Sequence, residues 1–351
     1  MPYTQRQINR LIGNADSRVL PKSAPLTLSQ RVSESEVRRR IYAWEDDTVE
    51  IIWKLHKQAV NDIVAASAYL TDERGASGVM WKSLIAGHID ERLRRLYREI
   101  AALVSQRSLT AYYAGYLGRA WSLDVSTIES VRVRYNVPLR DEAQAAIADD
   151  WLKRTGEDMA TKYAIIAGTY SLKARGQLNT TLTQDESPAE GMIRIRRLLL
   201  GQPQKRGGAF YEAQVTARFA IIAAGNLGAV RLYSENIATQ EAVSPIGTGY
   251  LVLTAGDGRV CPVCLEASRE IWQIDVPTGL LKGPVPPLHP GCRCAPFFVV
   301  LPSDLMPADM PPDTTWQEWL VLAGLDGLLD DFMGEGLQSS QIGDEVTYAD
   351  F

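Results

Sequence analysis

The four cysteines of this 351-residue chain all lie between Cys261 and Cys294, as one Cys-x-x-Cys pair and one Cys-x-Cys pair. His289, one of only three histidines, lies shortly before the second pair. A Cys-x-x-Cys turn presents two thiolates to one tetrahedral metal ion, and a second group of Cys or His across a loop completes the coordination shell. The spacing therefore predicts a metal site in this part of the chain.

The metal that this donor set favours is zinc in a structural role. Such a site takes four ligands, and the chain offers five candidates, which are Cys261, Cys264, His289, Cys292 and Cys294. One of the last three is surplus, and the spacing does not say which. Zinc stabilises the thiolate form of its ligands. A metal cross-link also helps to hold together a module of about 55 residues, whose apolar core is small.

Three other uses of these cysteines are weaker. Disulfide bonds need an oxidising environment, whereas a reducing cytoplasm favours thiols and metal. A thioredoxin-like redox role for Cys261-Pro-Val-Cys264 lacks the expected strand-to-helix context. A catalytic zinc keeps an open coordination position, whereas a set this rich in thiolates is typical of a closed structural site.

Hydrophobic periodicity predicts that the first two thirds of the chain is mostly helical. One apolar stripe runs from Val37 to Ile63 and another from Leu93 to Val104, mostly at steps of three or four residues. The segment 187–190, Ser-Pro-Ala-Glu, matches a capping box, and Gly201 suits the end of the helix that follows. Further helices are predicted over 141–154, 155–175, 187–200 and 213–235.

After Gly247 the pattern changes to short strands, over 250–254, 270–274 and 296–301, between segments rich in Gly and Pro. The predicted fold class is mainly α with a small C-terminal α+β zinc-bound module, in a multidomain chain. Its predicted parts are a basic extended arm 1–33, a helical domain 34–209, the zinc module 210–301, and an acidic tail 302–351.

Charge is distributed unevenly along the chain, although the net charge is only −5. Residues 301–351 hold eleven acidic residues and no Lys or Arg, whereas the first 32 residues hold five basic residues and one Asp. Docking of the termini to different partners and simple solvation explain this asymmetry equally well. A short amphipathic helix is predicted over 316–332. The arginine face formed by Arg92, Arg94, Arg95 and Arg98 could contact nucleic acid, but solvation is the simpler interpretation.

Membrane insertion is not expected, because the apolar runs are far shorter than the roughly 20 residues that cross a bilayer. The N-terminal residues also lack the apolar core of a secretory signal, which predicts a start in the cytoplasm.

Two segments around the cysteines carry a resemblance to a known family. They are Asp257-Gly-Arg-Val-Cys-Pro-Val-Cys264 and Pro286-Pro-Leu-His-Pro-Gly-Cys-Arg-Cys294. They resemble the signature of the phage head-morphogenesis family, the Mu gpF-like minor head proteins. That signature is an Asp-x-Arg before Cys-x-x-Cys, followed by a Pro-rich approach to His-Pro-x-Cys-Arg-Cys. The resemblance covers residues 250–300 well and the preceding helix more loosely.

The looser part of the resemblance also contains departures from the family. Ala217-Arg218 and Asn226-Leu-Gly228 stand where family members often show Arg-Thr-Glu and then Asn-x-Gly, but Arg218 is followed by Phe219 and Ala220. Tyr250 or Val252 occupies the region where the family often has Trp.

The resemblance implies a structural minor head (capsid) protein of a tailed phage, present in few copies at the portal vertex. Its implied role is in head assembly, DNA packaging or ejection, with the portal protein and the major capsid protein as partners. The implied location is the virion, in the head interior or at the portal vertex, after assembly in the host cytoplasm. The basic arm is a candidate contact with packaged DNA.

The alternative is a zinc-dependent, nuclease-like DNA-processing enzyme, or a toxin-type enzyme carried in the head. The roughly 50 residues after Leu301 are too few for a catalytic domain of usual size. Gly-x-Ser-x-Gly, His-Glu-x-x-His and phosphate-loop motifs are absent. A His-Asn-His nuclease needs a second histidine near His289. His56 and His88 are expected to be surface or core residues, and Asp257 and Arg259 to belong to a turn. We therefore predict no enzymatic activity.

Overall fold

The computed structural model describes residues 28–72, 78–124, 137–201, 207–239, 249–253, 261–268, 271–275, 280–281 and 283–299. Within these ranges the chain is mostly helical, which confirms the prediction of a mainly α fold. The arm up to residue 27, Asp257, Arg259 and the acidic tail with its helix 316–332 lie outside the described residues.

Six long helices precede the first strand in the described part of the chain. They are α1 (Leu28–Asp72), α2 (Gly78–Asp124), α3 (Arg140–Thr155), α4 (Met159–Thr183), α5 (Pro188–Leu200) and α6 (Ala209–Thr239). Because α1 begins at Leu28, residues 28–33 are helical, and their assignment to an extended arm is wrong. A long helix extends through a polar first turn because each added residue contributes one more hydrogen bond once the helix is nucleated.

The capping box predicted before α5 is confirmed. The Ser187 hydroxyl accepts from the backbone N–H of Glu190, and the Glu190 carboxylate accepts from the backbone N–H of Ser187 at 2.8 Å. At the other end Gly201 has φ 85°, and its N–H donates to the carbonyl oxygen of Arg197. These short-range bonds satisfy backbone groups that have no partner within the helix.

The described chain forms two compact units, and each is assembled from separated segments. The first unit contains the described residues of 28–44, 108–147 and 219–299, and the second contains those of 45–107 and 148–218. This division differs from the consecutive domains 34–209 and 210–301 that the sequence predicts. An apolar stripe shows that a helix is buried, but not which of its turns share a core.

Close helix packing forms the core of the first unit. An ideal Cβ built on Gly115 of α2 would lie 1.9 Å from the carbonyl oxygen of Gly225 on α6. One built on Gly228 would lie 2.0 Å from the carbonyl oxygen of Tyr112. The two backbones therefore touch where glycines remove the side chains. Buried residues from four helices pack around this contact, among them Val37, Ile41, Tyr116, Ala143, Ile221 and Leu232.

A small antiparallel sheet follows the helices in the first unit. Its strands are β1 (Gly249–Leu253), β2 (Ile271–Asp275), β3 (Leu280–Leu281) and β4 (Ala295–Val299), in the order β3-β2-β1-β4. A short helix, α7 (Pro262–Ala267), lies between β1 and β2 in the sequence. Tyr250 and Val252 of β1 pack with Ala229 and Tyr233 of α6 in a second apolar cluster, which also contains Cys264, Cys292 and Cys294.

Aromatic packing around His56 marks the core of the second unit. The His56 ring makes edge contacts with Tyr97 and Phe210, at centroid distances of 5.5 and 5.6 Å. The hydroxyl of Tyr97 donates to the carbonyl oxygen of Ala209 at 3.1 Å. These contacts join helices α1, α2 and α6.

One described helix segment, 209–235 within α6, is long and apolar enough to cross a membrane, with a mean hydropathy of 1.3 in its most apolar window. Of that window, 72% is buried inside the protein. A core helix meets the same criterion, because its apolar faces are covered by neighbouring elements.

Candidate metal centre

The five predicted ligands come together in the first unit, on two structural elements. Cys261 caps the N-terminus of α7 and Cys264 lies in its first turn, whereas His289, Cys292 and Cys294 lie in the loop between β3 and β4. The ligand atoms form two groups of three, each within 4.8 Å, and Cys264 belongs to both groups. The prediction that these side chains cluster in space therefore matches the structure.

The distances among Cys261, Cys264 and His289 are close to those of three ligands on one tetrahedral metal ion. His289 Nε2 lies 3.0 Å from Cys261 Sγ and 3.2 Å from Cys264 Sγ, and Cys264 Sγ lies 3.5 Å from Cys292 Sγ. Zinc with bonds of 2.0–2.3 Å would hold such atoms about 3.5–3.8 Å apart. A metal ion would spread His289 and the two sulfur atoms beside it by a few tenths of an ångström, whereas Cys292 or Cys294, which does not lie within 4.8 Å of all three, would have to move closer to complete the shell. All four cysteines are free thiols.

The orientation of the His289 ring directs one nitrogen at the sulfur atoms. Its Nδ1 donates to the carbonyl oxygen of Pro290 at 2.9 Å, so in the neutral ring Nε2 carries the lone pair. Nε2 is the atom that approaches Cys261 and Cys264. A histidine that binds a metal through one nitrogen usually donates from the other, so this arrangement fits a ligand.

Hydrogen bonds and burial divide the thiols of the cluster into two kinds, those with a lowered pKa and those with a raised pKa. The Cys294 thiol donates to Cys292 and lowers the pKa of Cys292 to about 5, and the same bond raises the pKa of Cys294. Burial raises the pKa of Cys264 to about 12. The backbone N–H of Cys264 donates to Cys261 Sγ at 3.4 Å and lowers the pKa of Cys261. Metal binding must therefore displace protons from the buried thiols.

The pKa of His289 is the balance of opposing effects. Partial burial lowers it, but the hydrogen bond to Pro290 and the neighbouring Cys292 and Cys261 raise it by more, so the net pKa is raised.

Helix side chains hold the backbone of the loop that carries three of the ligands and of β4, the strand that follows it. Tyr42 of α1 donates to the carbonyl oxygen of Arg293 at 2.6 Å, and Arg119 of α2 donates to that of Pro296 at 2.9 Å. Asn226 of α6 donates to the loop as well. Sequence reasoning did not identify Tyr42 or Arg119 as residues of the site, because no local pattern signals a contact between residues so far apart in the chain.

The other polar residues considered from the sequence are engaged elsewhere, in the second unit. Arg218 forms ion pairs with Glu45 at 2.6 Å and with Asp46 at 3.0 Å, although no acidic residue directly follows it in the sequence. His56 is fully buried in the aromatic core. His88 is partly buried. Among the described residues, neither histidine belongs to a group of side chains that could bind a metal ion.

The arginine face of α2 is largely neutralised by ion pairs. Within the second unit, Arg92 pairs with Asp62, Arg94 with Asp90, and Arg95 with Glu99, at 2.6–3.0 Å. These pairs leave less positive charge for a nucleic acid than the sequence alone suggests, and the interpretation as a solvated face is the simpler one.

Comparisons of the chain with models of protein families, with curated proteins and with solved structures find no match.

Proposed function

We propose that this chain is a structural minor head protein of a tailed phage, whose C-terminal α+β module is closed by one zinc ion. One observation carries the proposal. Five Cys and His side chains of the kind that binds zinc lie in two overlapping groups, and they belong to the two segments that resemble the head-morphogenesis signature. The zinc ligands are Cys261, Cys264, His289 and one residue of the pair Cys292 and Cys294.

Burial supports a structural rather than a catalytic metal. Cys264, Cys292 and Cys294 are only 2–3% exposed, and they share an apolar cluster with Tyr250 and Val252. A catalytic zinc keeps one coordination position open to water and substrate. Cys261 and His289 are partly exposed, but a set with this many buried thiols is typical of a closed structural site, so the proposed role is assembly, without catalysis.

The partners proposed for this role are the portal protein and the major capsid protein, with packaged DNA as a contact of the basic N-terminal arm. The proposed location is the phage head, at the portal vertex or in its interior, after assembly in the host cytoplasm. The support is the resemblance of the two cysteine segments, together with the opposite charges of the termini.

Mass spectrometry of purified phage particles tests the proposed function. We expect the chain in intact heads, at far fewer copies than the major capsid protein, and retained when tails are removed. Its absence from particles of the phage that encodes it would refute the proposal. The major capsid protein serves as the internal standard for copy number.

A further inference from the structure

We propose that Asn226 is a positioning residue of the metal centre, because its side-chain amide clamps both ends of the ligand-bearing loop 286–294. This inference rests on the proposed zinc site. The amide nitrogen of Asn226 donates to the carbonyl oxygen of Pro286 at 3.0 Å and to that of Cys294 at 3.0 Å. One NH₂ group has two hydrogens, so a single side chain satisfies both carbonyls.

The two acceptor carbonyls lie at the two ends of the loop segment that contains His289, Cys292 and Cys294. Pro286 precedes His289, and Cys294 ends the loop immediately before β4 begins at Ala295. Beyond that point the β4 backbone is held by its pairing with β1. Asn226 therefore fixes the loop where the sheet no longer does.

The identity of residue 226 is hard to explain by helix packing alone. Asn226 is 6% exposed in α6, where its neighbours Ala223, Ala224 and Gly225 are small or apolar. Asparagine is a weaker helix former than leucine, and a buried amide without partners costs about 1–3 kcal/mol. Its bonds to the loop remove that cost, and they are the interactions that an apolar residue could not supply.

The backbone beneath Asn226 is held firmly. On one side of it is Gly225, whose added Cβ would meet Ile41 at 2.9 Å, and on the other is Gly228, whose added Cβ would meet Tyr112. The amide thus projects from a point where α6 is packed tightly against α1 and α2. A firmly held donor presents the loop carbonyls, and with them the ligands, in one geometry before the metal arrives.

The predicted consequence is a loss of metal affinity that packing alone does not explain. Removing an outer hydrogen bond from a metal site typically weakens binding by about 10- to 100-fold. We expect the variants Asn226→Ala and Asn226→Asp of the full-length chain to bind Zn²⁺ and Co²⁺ more weakly by about this factor. We also expect the visible absorption bands of bound Co²⁺ to shift, since the sulfur and nitrogen ligands are less well oriented.

The experiment is a competition titration of Zn²⁺ against a chromophoric chelator, with Co²⁺ spectra of the loaded proteins. Asn179→Asp is the matched control, because it makes the same chemical change at an exposed position of α4, away from the site. A residue that served packing alone would lower stability but leave the affinity and the Co²⁺ spectrum unchanged.

Each outcome decides the matter. Affinity and spectrum equal to those of the control would overturn the proposal. Loss of the helical circular dichroism signal in both Asn226 variants at saturating Zn²⁺ would overturn it as well, because Asn226 would then support the helices rather than the loop. If the unaltered protein binds neither metal, the proposed zinc site itself fails, which is a separate result.

Discussion

His56 is enclosed by aromatic rings, and its environment determines its charge. Burial lowers its pKa from 6.5 to about 4, although the hydrogen bond from Nδ1 to the carbonyl oxygen of Ile52 at 2.9 Å opposes the shift. The hydroxyl of Tyr97 lies 3.1 Å from Nε2. The folded protein therefore keeps this ring neutral at pH values where the unfolded chain protonates it.

This difference makes the stability of the second unit depend on pH. Between pH 6.5 and pH 4, His56 is protonated in the unfolded chain but neutral in the folded protein. The free energy of unfolding therefore decreases as the pH falls through this range. A shift of this size corresponds to about 3 kcal/mol. We expect urea unfolding at pH 7 and pH 4 to show a smaller loss of stability in His56→Gln than in the unaltered protein. Equal losses in the two proteins would contradict the assignment.

At the scale of the helices, glycine has two different roles. Gly115 lies where α2 meets α6, and its added Cβ would collide with the backbone of Gly225. Gly168, in the interior of α4, has no atom within 4 Å of an added Cβ. It lines a groove of about 850 Å³ between α2 and α4. The same residue type is thus required by packing in one helix and not required in the other.

Two matched substitutions test this distinction. Gly115→Ala should destabilise the protein by about 1–3 kcal/mol or more, because two helix backbones must separate. Gly168→Ala should stabilise it by about 1 kcal/mol, because alanine is the better helix former and meets no obstacle. Denaturant unfolding followed by circular dichroism measures both. Effects of the same sign in the two variants would disprove the account of this helix contact.

Elements with local signals could be predicted from the sequence, and contacts across the chain could not. The capping box of Ser187 and Glu190 lies within four residues, so its pattern is visible in the sequence. Strands β1, β2 and β4 were also predicted within one or two residues of their bounds, whereas the two-residue strand β3 was not predicted.

The metal centre shows the same limit. The cysteine spacing identified five candidate ligands that the structure brings into two overlapping groups, since they lie on one turn and one loop. It did not identify Tyr42 or Arg119, which lie on helices far away in the sequence. Their role depends on how α1 and α2 pack in the first unit, and hydrophobic periodicity does not determine that arrangement.

At the scale of the whole molecule, the proposed metal is more than a cross-link within a small sheet. Helices α1 and α6 donate hydrogen bonds to the ligand loop, and α2 donates one to β4, which follows the loop. The geometry of the site and the packing of these helices therefore depend on each other. The proposed role in head assembly would require the chain to hold its shape while neighbouring subunits assemble around it. A zinc ion bound in a loop that α1 and α6 hold would serve this purpose, in keeping with the proposed structural role.

Zinc K-edge X-ray absorption of the purified full-length protein tests the central claim most directly. We predict one zinc ion with four protein ligands, three sulfur atoms at about 2.3 Å and one nitrogen atom at about 2.0–2.1 Å, and no oxygen neighbour. Of the variants Cys292→Ser and Cys294→Ser, only one should lose a zinc–sulfur contact. The cysteine whose replacement leaves all three sulfur contacts in place is the surplus one. A shell that contains a coordinated water, or a protein that retains no zinc, would contradict the account.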